Sequence, residues 1–165
     1  MTTTEPRWLS PEELRAWMAW VATTTLLDGA LDRQLQRDSG MPHAYYLILA
    51  MLSDAPKHTL RMSDLAAATQ SSQSRLSHAV TRLERQGLVH RRPCPDDRRS
   101  TFATLTEEGW EVLRAAAPGH VRTVRDNVFD ALTAEQVAQL ESICRTILGR
   151  LRRDPEATPI PGVCP

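Results

Sequence analysis

From Ser10 onward the apolar residues fall at helical spacing. Ser10-Pro11-Glu12-Glu13 is a helix start: Ser10 can cap, Pro11 suits the first helical position, and Glu13 completes a capping box. Leu14, Trp17, Met18, Val21, Leu27, Leu31 and Leu35 then form one stripe, predicting a helix to about Arg37 that ends before Ser39-Gly40. That helix is long for a core of this size, so part of its face needs a partner chain. After Pro42 the strongly apolar run HAYYLILAMLS predicts a second helix, and DAPKHT reads as a loop broken by Pro56. A short helix is expected over 61–68 with Ser63 as its cap, a turn at Thr69-Gln70-Ser71, and a helix over 72–86 stopped by Gly87. Residues 88–92 and 101–105 are short strand candidates joined by PCPDDRRS. Thr106-Glu107-Glu108 opens a further helix with acids at its positive end, and Pro118-Gly119 should kink or interrupt it before about Phe129. Thr133-Ala134-Glu135-Gln136 is a second capping box, opening a last helix to about Arg153. The tail DPEATPIPGVCP is proline-rich and reads as disordered.

The order helix, turn, helix, hairpin from Met62 to Gly109 suits the reading of a DNA groove. On the helix from Ser72, Leu76, Ala79, Val80 and Leu83 make a buried stripe. The opposite face carries Gln73, Ser74, Arg75, Ser77, His78, Thr81 and Arg82, whose groups can match base edges, while the helix start with Ser72 favours phosphate. Arg75 is the first choice for a guanine contact; Arg82 and Arg85 lie further along and suit phosphates. An ordinary solvated helix face would carry the same residues.

The hairpin tip adds weight to the DNA reading. Pro93 and Pro95 stiffen the approach to Asp96-Asp97-Arg98-Arg99, and a guanidinium held there can enter the negative minor groove, oriented by a neighbouring aspartate. Arg91 and Arg92 could touch phosphates on either side. The alternative is a charged turn with local Asp–Arg pairs.

Net charge is zero, with 20 basic and 20 acidic residues, but it is unevenly spread. Residues 61–100 hold 8 arginines against 4 acids, between flanks that are each mildly acidic. Such a basic island fits a DNA-reading head within a larger scaffold, or a solvated surface. The three cysteines, Cys94, Cys144 and Cys164, form no Cys-x-x-Cys pair, and the five histidines show no ligand spacing, so no metal or other cofactor is expected. There is no glycine-rich phosphate loop and no nucleophile elbow, so an enzyme is not expected. No apolar run would span a bilayer, the N-terminus has no signal-type run, and a cytoplasmic protein is expected.

LERQGLV, followed by RRPCPDDRRSTFATLTEEG, resembles the MarR family of winged-helix transcription regulators; the likeness covers residues 12–150. Asp97-x-Arg99 matches the family's wing motif, and LTEEG matches the start of its fifth helix. The resemblance implies a mainly α fold with a small β-hairpin wing, in which a winged helix-turn-helix module is joined to dimerisation helices. Its divisions are a dimerisation helix over 1–40, the DNA-binding module over 41–105, further dimerisation helices over 106–153, and the tail over 154–165. It further implies a homodimer on a palindromic operator in double-stranded DNA, with Asp97 orienting Arg99 in the minor groove and residues 72–82 as the recognition surface. Apolar residues Leu140, Ile143, Ile147, Leu148 and Leu151 support the dimer independently, because a compact head cannot cover them.

Many members of that family resemble one another in sensing small phenolic or other aromatic ligands. Trp17, Trp20, His43, Tyr45 and Tyr46 are the candidate lining here, and plain core or dimer packing is the competing reading. Cys94, in the wing beside arginines, opens a redox-responsive alternative; a fold used only for protein–protein contact is another. The leading expectation is a repressor, with release by a small aromatic effector as a further expectation.

Overall fold

In the computed structural model, residues 6–94 and 100–151 are described. Helix α1 spans Pro11–Ser39, with Ser10 accepting from the Glu13 N–H at 3.2 Å and donating its own N–H to the Glu13 carboxylate at 2.7 Å. It runs two residues past the expected end because Gly40, at φ 63°, supplies the left-handed stop. Helix α2 (His43–Asp54) follows, then a 3₁₀ turn (Pro56–His58) and strand β1 (Thr59–Arg61). Helices α3 (Met62–Ala68) and α4 (Gln73–Arg85) form the helix-turn-helix, and β2 (Val89–Pro93) and β3 (Thr101–Leu105) the hairpin. Helix α5 (Glu107–Asn127), a second 3₁₀ turn (Phe129–Ala131) and α6 (Ala134–Leu151) complete the described chain.

Three expectations are corrected. The segment read as a loop ends in β1, which makes the sheet three-stranded in the order β1-β3-β2, all antiparallel. Its pairing, Thr59 with Thr104 and Arg61 with Phe102, joins residues remote in sequence, and the two threonine hydroxyls meet at 2.9 Å. Ser63 does not cap α3: the chain turns from strand to helix at Arg61, and the Ser63 hydroxyl instead donates to Asp64 at 3.1 Å. Pro118 does not interrupt α5, which continues through it. There α5 lies against α1, close enough that a Cβ on Gly119 would stand 2.8 Å from Gln34 Nε2.

The core lies between α2, α3, α4 and one face of the sheet. Leu49, Leu52, Leu65, Leu76, Val80, Leu83 and Val89 are fully buried there, with Leu35 arriving from the end of α1. The first half of α1 is different: Leu14, Trp17, Met18 and Val21 are exposed, and α6 buries none of its residues, with Ile143 54% and Leu151 58% accessible. No helix is long and apolar enough to cross a membrane, among the described residues.

Gly109 closes the junction between head and α5. A Cβ there would collide with the Leu88 carbonyl oxygen and press on Leu105 Cδ1 at 2.8 Å. In an open helix Gly→Ala gains about 1 kcal/mol. Here the overpacking, typically about 1–3 kcal/mol, dominates, so Gly109→Ala lowers the thermal midpoint. An unchanged or raised midpoint would show that the Leu88 backbone yields freely.

Candidate nucleic-acid interface

Helix α4 is held by its buried stripe and started by Ser72, whose hydroxyl accepts from the Arg75 N–H at 3.3 Å. With Leu76, Val80 and Leu83 turned inward, Gln73, Ser74, Arg75, Ser77, His78 and Arg82 all lie exposed on the other side. The side chains of Gln73, Ser74, Arg75, Ser77 and His78 make no hydrogen bond or ion pair with other described residues. Helix α4 thus presents a continuous polar surface with unspent donors. Beside it runs a groove of about 480 Å³, lined by Arg61 and Ser63 at the head of α3, by Gln73, Ser74 and Ser77, and by Arg91 and Thr101 of the hairpin. Arg61 was not among the expected contacts, because its position was read as the first residue of a helix; no local signal marks it.

The two hairpin arginines part company. Arg91 gives its Nε and Nη2 to one Glu84 oxygen at 2.8 and 2.6 Å and its backbone N–H to the other at 3.0 Å. That guanidinium holds the Glu84 carboxyl below the usual carboxylate range. Arg91 is therefore committed to fastening β2 onto α4, while Arg92 is exposed. Asp97, Arg98 and Arg99 lie outside the described residues. At the foot of that tip the Cys94 N–H donates to the Ser100 carbonyl at 2.9 Å, and Cys94 is 2% accessible. The cysteine of the redox-responsive alternative is thus buried.

A profile of the MarR family matches residues 39–100. The chain is 50% identical to Sco3205, a MarR family transcriptional regulator from Streptomyces coelicolor crystallised in complex with DNA; the match covers 96% of this chain and 98% of that one, with a TM-score of 0.87. This chain belongs to the MarR family. A second Streptomyces coelicolor regulator of the family, AbsC, is 42% identical, covering 90% of this chain and all of that one (100%) at a TM-score of 0.84. Transcriptional repressor MprA of Escherichia coli K12 is 30% identical over 118 residues, 72% of this chain and 66% of that protein, just under two thirds of its length. This MarR protein is accordingly a DNA-binding transcriptional regulator rather than an enzyme. Its described residues contain no group of three side chains fit to hold a metal ion.

The five aromatic candidates do not converge on one cavity. Trp17 and Trp20 are exposed on α1. Tyr45 lines a separate cavity of about 420 Å³ with Met41, Arg82 and Leu88. His43 and Tyr46 meet His120 of α5, at ring separations of 5.6 and 4.3 Å, while His43 Nδ1 lies 3.0 Å from the Asp28 carboxylate. Burial raises the Tyr46 phenol; burial first, and then the His43 charge, lower the His120 imidazole from its usual 6.5.

That shift fixes a sign. The unfolded chain takes up a proton at His120 before the folded chain does, so the stability is present above about 6.5 and is lost as pH falls toward the lowered folded value. His120→Phe, which keeps a ring against Tyr46, should flatten the decline in urea midpoint between about pH 7.5 and 5.5. A decline as steep as in the unsubstituted protein would assign the pH dependence elsewhere.

Proposed function

We propose that this regulator binds a palindromic operator as a homodimer and represses transcription, and that a small planar aromatic ligand releases it. The observation that carries the reading is the exposed, unpartnered polar face of α4 beside the groove at the foot of the hairpin. Ser72, Gln73, Ser74, Arg75, Ser77 and His78 read the major groove; Arg82, Arg92 and Arg98 touch phosphate; Arg99, oriented by Asp97, enters the flanking minor groove. Arg91 joins the DNA contacts only so far as its bond to Glu84 leaves a donor free. The dimer rests on the uncovered apolar faces of α1 and α6, and two copies of one head match two half-sites about a helical turn apart. An effector held by His43 and Tyr46 beside His120 acts by favouring a head spacing that no longer fits the operator.

Fluorescence anisotropy on duplexes tiling the DNA upstream of its own gene, with competitor DNA at two salt concentrations, tests the reading. Tight, salt-sensitive binding to one palindromic tile supports it, while indifference to sequence in random duplex libraries points to a protein-binding role. Arg75→Ala should cost about 1–3 kcal/mol and relax preference at a single base position, whereas Arg99→Ala weakens binding to all sequences. Equal, sequence-independent losses from both would remove Arg75 from base reading. Replacing Ile143 and Ile147 together by Glu should halve the mass seen in sedimentation and abolish tight operator binding. A variant that stays dimeric with full affinity would move the interface off α6.

A further inference from the structure

We infer that Phe102 is a shared aromatic platform that holds Arg61 and Arg92 as a two-arginine clamp on the DNA phosphate backbone at the base of the wing. The inference rests on the DNA-binding reading above and adds two residues to it, Arg61 and Phe102.

The register places the three side chains in one row. Arg61 of β1 and Arg92 of β2 both pair with Phe102 of the central strand β3. Side chains alternate along a strand, so this row shares the outer face, opposite Ala103 and Leu105, which are buried in the core. Each guanidinium carbon sits over the Phe102 ring at 5.4 Å from its centroid, within the roughly 6 Å at which a cation is attracted to the ring face.

The charge balance of this row is unusual for a free surface. Neither Arg61 nor Arg92 has an ion-pair partner among the described residues, whereas Arg91, next to Arg92, is paired with Glu84. Two guanidiniums brought to one ring repel each other, and each gains only about 0.5–1 kcal/mol from an exposed ring face. An anion reaching both relieves that repulsion. Next to Arg61 the groove offers the hydroxyls of Ser74, Ser77 and Thr101, while that of Ser63 donates to Asp64, and no described carboxylate lines the groove. Hydroxyls and an unpaired guanidinium beside the reading helix are phosphate chemistry, and phosphate contacts fix register without reading sequence. The row stands at the wing end of the sheet, so the clamp would grip the backbone where the wing leaves the protein.

The test is a salt titration of binding by the full chain, on its operator duplex and on an unrelated duplex. Arg61→Gln and Arg92→Gln should each make the slope of log affinity against log salt shallower by about 0.9, with the same fractional loss on both duplexes. Phe102→Leu should lower affinity several-fold while leaving the thermal midpoint near its original value, and Phe102→Tyr should restore it. In a background lacking both arginines, Phe102→Leu should cost nothing further; a penalty that persists there makes Phe102 a packing residue and overturns the platform. An unaltered slope in Arg61→Gln, with the unsubstituted protein binding normally, overturns the clamp alone. Absence of salt-dependent DNA binding by the unsubstituted protein would overturn the clamp and the regulatory reading together.

Discussion

Glu84 stands in the last turn of α4 and takes all three of its hydrogen bonds from Arg91, one from the backbone of β2 and two from the guanidinium. This attachment ties the reading helix directly to the wing. The pair is partly exposed, so its net contribution to stability is modest, under about 1 kcal/mol. The buried stripe of Leu76, Val80 and Leu83 supplies far more, at about 1.5–3 kcal/mol for each large apolar side chain removed from water. Packing of that kind fixes that the helix stays, but tolerates small slides along it. A carboxylate gripping one residue by backbone and side chain does not. Because the guanidinium lowers the Glu84 carboxyl, the pairing survives as pH falls past the ordinary carboxylate range and is lost only through the lowered value.

Local chemistry was legible in the sequence, and remote pairing was not. The caps at Ser10, Ser72, Thr106 and Thr133 each reach a residue three positions on, so the residues that announce them also form them. The stripe on α4 was readable for the same reason: helical periodicity needs no partner to be seen. Strand β1 was missed because three residues cannot show alternation, and its identity comes from Thr104, Ala103 and Phe102 far along the chain. With β1 unseen, Arg61 passed for a helix start and Ser63 for its cap. Pro118 misled in the opposite direction: its local preference for a break is overridden where α5 packs on α1. The separation of Arg91 from Arg92 lay between these cases. Period-two alternation puts neighbours on opposite faces, but only the register with Ala103 says which face is the core.

That division of faces explains how a chain of zero net charge can serve a polyanion. On the core side of the sheet a charge must be neutralised by a near partner, and Arg91 is, by an acid from the helix it braces. On the outer side charges meet water, need no internal acid, and remain available. The same sorting occurs on α4, where Glu84 is turned to the sheet while Arg75, Arg82 and Arg85 face outward. On α4 the acid is thus spent on the sheet, and the arginines are left facing outward. Other acids are paired within their own helices: Glu12 with Arg15 on α1, Glu111 with Arg114 on α5, and Glu141 with Arg145 on α6. Screening over about 8–10 Å at ordinary ionic strength confines each of these pairs to its own helix surface. The field felt by DNA is therefore that of the head alone, and the balance of the whole chain bears on solubility rather than on recognition.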